Sequence, residues 1–142
     1  MGRIIIHLHG QTKDASCNSL IEKYLQRLSK LGVKLVEHSS KESPQRYLDS
    51  VIEQSKNGKL ILLDESGHTY SSVEFTEVIK EGVVSTTSTH FAIGPATGFP
   101  ENIYEKISLS KMTFPHELAS VILIEQIYRA SEIIDGTAYH KS

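Results

Sequence analysis

An α/β fold with a mainly parallel sheet and helices on both faces is what this sequence predicts, on three observations. Short runs rich in β-branched residues alternate with longer stretches whose apolar residues recur at helical spacing. One run, "KLILLD" from Lys59 to Asp64, is apolar without alternation, as expected of a strand covered on both faces. Helical stretches close at Gly32 and Gly58, and each is followed by another strand-like run, the pattern of right-handed crossovers.

Each element follows from local chemistry. "RIIIHLHG" (Arg3 to Gly10) reads as a first strand ending at a glycine. Asp14 can cap a helix in which Leu20, Ile21, Tyr24, Leu25, Leu28 and Leu31 share one face until Gly32 stops it. "VKLVEH" is a second strand. Ser43 as cap and Pro44 at the first helical position open a second helix, with Tyr47, Leu48, Val51 and Ile52 on one side. The third strand ends at Asp64, before a turn-like "ESGH". "SSVEFTEVIKEG" is a third helix, capped by Ser71 or Ser72 with Glu74 or Glu77 in its first turns. "STHFAI" is the fourth strand. A loop from Gly94 then leads to a short helical stretch over Glu101–Glu105. "ISLS" is the fifth strand, and Pro115 opens the last helix.

The chain has 142 residues, 39% hydrophobic and 23% charged, which suits one domain over 1–142 with a continuous core and no disulfide. Its apolar runs are far shorter than the roughly 20 residues that span a bilayer, and no basic-then-apolar leader opens it, so a cytoplasmic location and no membrane partner are expected. The single cysteine, Cys17, has no base or metal partner nearby in sequence and reads as structural. A net charge of −2 gives no basic excess of the kind a sequence-independent grip on phosphates needs.

Neither G-x-G-x-x-G nor G-x-x-x-x-G-K-[ST] occurs, which removes the main support for dinucleotide and nucleoside-triphosphate sites. His7 and His9 can face the same way on the first strand, but no third ligand stands at metal-site spacing, and no metal is expected. In a sheet of this class the ligand sits beyond the carboxyl ends of the strands. There Gly94 and Gly98 bracket "GPATG", either to let backbone approach a flat ligand or to make a turn that needs positive φ. In the last helix Leu118, Val121, Ile122, Leu123, Ile124 and Ile127 cover most of the circumference, so burial on more than one side is required. Glu125 and Arg129 stand at i and i+4 and can pair. The polar tail "GTAYHKS" reads by composition as a frayed end.

The C-terminal third carries more. "SLSKMTFPH" (Ser108 to His116), "EQIYRA" (Glu125 to Ala130) and "YHK" (Tyr139 to Lys141) stand in the order and spacing of the RlmH family of SPOUT-class rRNA large-subunit methyltransferases, which this chain resembles. The likeness extends weakly over nearly the whole chain, through "LLD" at Leu62–Asp64, Gly67 and the glycine loop.

That resemblance implies a single SPOUT methyltransferase domain with a trefoil knot at its C-terminal end, and a homodimer packed through the last helix. It implies S-adenosyl-L-methionine as cofactor, lying bent against Leu63, Gly94, Gly98 and the loop Leu109, Ser110, Lys111, Met112, Thr113 and Phe114. The implied reaction is methylation of N3 of a pseudouridine in large-subunit (23S) ribosomal RNA, free or in the assembled ribosome. An imide nitrogen has no nucleophilic lone pair until it loses its proton, so a base or an anion-stabilising group is needed. His140 and Tyr139 are the candidates, with Arg129 and Lys141 holding RNA phosphate or a developing oxyanion.

The chain departs from the family pattern in two places. The loop is "GPATG" where relatives have "GGPEG", and the tail has Thr137 and Ala138 where relatives have His-Pro, with Lys141 in place of arginine. These departures leave two other readings open: a catalytically weak knotted RNA-binding or ribosome-associated module, and a methyltransferase for another RNA base or for tRNA.

Overall fold

The computed structural model describes residues 3–141. Five parallel strands form one sheet in the order β2-β1-β4-β3-β5. The strands are β1 (Ile4–His9), β2 (Val33–His38), β3 (Lys59–Thr69), β4 (Thr89–Ile93) and β5 (Glu105–Ser108). The helices are α1 (Ala15–Arg27), α2 (Pro44–Gln54), α3 (Ser72–Val84) and α4 (His116–Ile134). Among the described residues no helix is long and apolar enough to cross a membrane.

Side-chain alternation divides the sheet into two unlike faces. Ile4, Ile6, Leu8, Ile61, Leu63, Phe91, Ile93 and Ile107 point to one side, where α1, α3 and α4 close over them with Ile21, Phe75, Ile79, Leu123, Ile124 and Ile127. On the other side α2 alone covers Leu60, Leu62 and Ala92 with Tyr47, Leu48 and Val51. The expectation of helices on both faces holds, three against one.

The caps follow the sequence. Asp14 accepts from the Cys17 amide, Ser43 from the Arg46 amide, and Ser71 and Glu74 form a reciprocal capping box, so Ser71 is the cap of α3. Pro115 is the residue just before α4, which starts at His116.

Five boundaries differ from expectation. The helix α2 ends at Gln54 with Ser55 as its C-cap, short of the expected close at Gly58. The helix α1 ends at Arg27, and Ser29–Leu31 form a short 3₁₀ turn before Gly32, because Leu28 is already buried and the chain tightens around it. The helix α3 runs on past Gly82 to Val84. The expected stop at Asp64 is overridden by pairing: Leu63 and His68 both register with Ile107, so Asp64–Gly67 bulge out and β3 resumes to Thr69. A Cβ on Gly67 would lie 2.6–2.7 Å from the Lys106 and Ile107 backbone, so only glycine permits that close return. The expected helical stretch at Glu101–Glu105 does not form. The side chain of Asn102 accepts from the Tyr104 amide and donates to the Pro100 carbonyl, holding an extended turn from which β5 starts at Glu105, two residues before the predicted "ISLS" and ending at Ser108.

Candidate functional site

The carboxyl ends of β3, β4 and β5 open into a cleft of about 340 Å³ lined by Asp64, Glu65, Ile93, the loop Gly94–Gly98, Thr113, Phe114, His116 and Ala119. A smaller cavity of about 90 Å³ adjoins it through Asp64, Glu65, Phe114 and Ala119, and adds Leu63, Ser108, Leu109, Ser110 and Met112. The structure thus places Leu63, Gly94, Gly98 and five residues of the loop after β5 along these two adjoining cavities. Lys111 is exposed and lines neither cavity.

The loop after β5 is built by its own hydroxyls. Ser108 donates to the Ser110 carbonyl at 2.7 Å, and the Ser110 hydroxyl accepts from the Met112 amide at 3.0 Å. Thr113 donates to Glu65 at 2.5 Å, tying this loop to the β3 bulge, where Asp64 accepts from both the amide and the hydroxyl of Ser66. The Lys13 amide donates to Glu117, which pins the β1–α1 loop to the start of α4. On the β4 side the Gly98 amide donates to the Pro95 carbonyl at 2.8 Å, and Gly98 has φ +84°, the left-handed region that favours glycine. Gly94 instead serves close packing, since a Cβ there would stand 3.1 Å from the Phe99 ring.

These residues fit a methyl donor of the sulfonium class. Leu63, Ile93, Leu109 and Phe114 offer apolar walls for a flat base, the open backbone of 94–98 offers amides and carbonyls, and Asp64 and Glu65 put carboxylates at the rim. Asp64 and His116 stand inside the "LLD" and "SLSKMTFPH" motifs but receive no site role from sequence, and Glu65 and Ile93 carry no signal beyond their place at a strand's carboxyl end.

The predicted catalytic residues assemble elsewhere. Arg129 forms a two-pronged pair with Glu125, at 2.8 and 3.4 Å, and donates to Nδ1 of His140 at 3.1 Å. The Tyr139 hydroxyl donates to the same Glu125 carboxylate at 2.7 Å, its ring lies under the Arg129 guanidinium at 5.0 Å, and it meets Tyr128 edge-on at 4.8 Å. The tail is therefore docked on α4 through Tyr139 and His140 rather than frayed. Burial, then the hydrogen bond to Glu125, pushes the Tyr139 phenol well above its ordinary range, so it stays a donor. Arg129 stands thirteen residues beyond His116 along one helix, about 20 Å from the cleft mouth at 1.5 Å per residue. Lys141 is exposed.

In α4, Val121, Leu123, Ile124 and Ile127 are buried within the subunit, while Leu118 is 40% exposed and Ile122 is half-buried on the open side. His7 and His9 do share the α2 face of β1, and among the described residues no group of His, Cys, Asp or Glu could hold a metal ion.

Comparison with known proteins places the chain in a family. Residues 2–140 match the family model described as "Predicted SPOUT methyltransferase". A protein of Thermodesulfovibrio yellowstonii named ribosomal RNA large subunit methyltransferase H is 36% identical, over 99% of this chain and 99% of its own. Proteins of the same name from Flavobacterium johnsoniae and Caldicellulosiruptor bescii are 37% and 34% identical, over 92% and 93% of this chain and 94% and 96% of theirs. With the cleft at the strand ends, the loop after β5 and a match over almost its whole length, this chain belongs to the SPOUT methyltransferase family.

Proposed function

We propose that this protein is an S-adenosylmethionine-dependent methyltransferase of large-subunit ribosomal RNA, acting on N3 of a pseudouridine in the cytoplasm. The observation that carries the reading is the pairing of a cleft lined by Leu63, Gly94, Gly98, Leu109, Ser110, Met112, Thr113 and Phe114 with a separate polar cluster of Arg129, Tyr139 and His140. The full-length relatives named for ribosomal RNA methylation support the substrate class. The reading includes a trefoil knot at the C-terminal end, as the family resemblance implies.

Along α4 Arg129 stands ten residues beyond Ala119, which lines the cleft, a rise of about 15 Å, so the cluster does not line the cleft of its own subunit. Two copies packed through the open side of α4, along Leu118 and Ile122, would bring one subunit's tail towards its partner's cleft. The homodimer is therefore part of the proposal.

The cofactor, when bound, supplies a methyl group already activated on a sulfonium. The protein's own residues align and handle charge. Arg129 donates to Nδ1 of His140, so a neutral His140 carries its proton on Nε2 and presents a donor, not a base. The Tyr139 hydroxyl donates to Glu125, which also balances the Arg129 charge, so Tyr139 and Glu125 hold Arg129 in place. The remaining guanidinium N–H groups of Arg129 and the Nε2–H of His140 are donors that favour the imide in its deprotonated form, the nitrogen lone pair then facing the methyl donor and the proton leaving to water. The hydrogen bonds support anion stabilisation for His140 and a positioning role for Tyr139.

Calorimetric titration with S-adenosylmethionine tests the cleft, and absence of heat would favour the catalytically weak binding module. Mass-spectrometric maps of ribosomal RNA from cells with and without the gene test the substrate, and identical maps would sink the ribosomal assignment. His140→Ala is expected to slow methylation by roughly 10²-fold while leaving cofactor affinity nearly intact. Equal loss of both would refute the division between cleft and cluster.

A further inference from the structure

Beneath α2 lies a group that methyl transfer does not use. His7 of β1 is fully buried between His38 of β2 and His90 of β4, themselves buried. Its Nε2 stands 2.8 Å from Nδ1 of His90 and its Nδ1 2.9 Å from Nε2 of His38, so three imidazoles form one hydrogen-bonded chain across three strands. A neutral imidazole has one donor and one acceptor, and the Glu42 carboxylate 3.8 Å from Nδ1 of His38 favours a proton there. That choice sets the direction of the chain: His38 accepts from His7, and His7 accepts from His90. A proton added at Nε2 of His90 then moves one N–H across each bond, and the positive charge ends on His38 beside Glu42.

The chain touches the candidate site through one side chain. Tyr47, wholly buried, meets His38 edge-on at 5.1 Å and His9 at 5.1 Å. Its hydroxyl donates to the Ile93 carbonyl at 2.7 Å, and its ring stacks on Phe99 at 5.9 Å with 11° between planes. Phe99 in turn packs on Gly94. Both ends of the loop Ile93–Phe99 thus rest on Tyr47.

We propose that Tyr47 is a positioning residue for the loop Ile93–Phe99, and that the His7–His38–His90 chain behind it loosens that support when it takes up a proton. The consequence for cofactor binding rests on the reading of this loop as part of the cofactor cleft; the loosening itself does not. Burial pushes all three imidazoles below their ordinary range, His7 to about 3, with His90 and His38 adding to the effect at His7. At His38, Glu42 pulls the other way and His9 adds to the depression. Burial keeps the Tyr47 phenol protonated, so it holds its hydrogen bond at every pH considered. The fold favours the neutral chain. Its support is complete above pH 6.5, the ordinary histidine value, and declines as the pH falls below it.

Amide hydrogen exchange on the full-length protein, corrected for the intrinsic rate at each pH, tests this directly. Between about pH 7.5 and about pH 5.5 the protection of the Gly98 amide should fall about tenfold in the wild type. His7→Gln keeps one donor and one acceptor without a titrating group, and should flatten that fall. Tyr47→Phe keeps the ring stack but loses the hydroxyl, and should leave Gly98 weakly protected at both pH values. A Gly98 amide equally protected at both pH values, or a fall unchanged in His7→Gln, overturns the acid step; a Tyr47→Phe loop as protected as the wild type overturns the positioning role. Should His7→Gln fail to fold, the wild-type comparison and Tyr47→Phe still decide. Titration with S-adenosylhomocysteine runs alongside: no binding by the wild type at about pH 7.5 refutes the cofactor reading and leaves the exchange result standing. Binding that weakens towards about pH 5.5 in the wild type but not in His7→Gln ties the chain to the cleft.

Discussion

On one face of the sheet three helices close over isoleucines, leucines and Phe91, with aliphatic contacts from β1 to β5. On the other face a single helix covers a smaller apolar group together with three imidazoles and one phenol. The first face is held by area removed from water, at about 25 cal/mol per Å², and has no buried group to titrate among its cluster residues. The second has less area, and its buried nitrogens stay satisfied only while the hydrogen-bond chain is intact. The loop at the candidate cleft leans on the second face through Tyr47 and Phe99. Stability and site geometry are therefore carried by opposite sides of the same sheet.

The sharpest way to break that contrast is Phe91→Ala. Phe91 is fully buried on the three-helix side, and its removal is expected to cost about 3–5 kcal/mol, with a ΔΔG in urea unfolding that is the same at neutral and mildly acid pH. Acidification should act on the other face. His7 is held neutral by the fold, with a value near 3 against an ordinary 6.5, so its contribution is complete above pH 6.5 and declines between 6.5 and 3. At pH 5, one and a half units below 6.5 at about 1.4 kcal/mol each, the loss from His7 alone is about 2 kcal/mol. Urea midpoints followed from pH 7 to pH 5 in the wild type and in His7→Gln measure it, and parallel curves would show that the chain is not the titrating unit. The smallest effect belongs to Ser71→Ala, the capping box of a helix on the three-helix side, at about 1 kcal/mol and independent of pH.

Much of the architecture was legible because it is written locally. The caps at Asp14 and Ser43, Pro44 at the first turn of α2, and the apolar runs of β1, β2 and β4 act on residues a few positions away, and each element formed where they place it. The misreadings fall where pairing overrode local chemistry. "ESG" carries turn signals and does turn, yet β5 takes the chain up again at His68. Glu101–Glu105 has helical composition, but Asn102 binds backbone on either side and the segment goes into a strand. The tail has the composition of a frayed end, but Glu125, Tyr128 and Arg129, ten or more residues back on α4, hold Tyr139 and His140 down.

The candidate site divides in the same way. The residues around the cleft were found because a strand end, two glycines and the "SLSKMTFPH" loop are contiguous features. That Arg129, Tyr139 and His140 stand apart from that cleft, on the far part of α4, is a matter of helix length and docking, and residue types alone do not express it.

By itself the sequence determined the alternation of strands and helices, the apolar stripe of each helix and the motif order of the C-terminal third, since each rests on conformational preference and burial over short spans. Only the tertiary structure decided which histidines meet. His7 and His9 are visible as a pair on β1, but the partners of His7 lie 31 and 83 residues away. They are brought to it because β1 sits between β2 and β4, and strand order is settled by the packing of the whole sheet rather than by any residue in it.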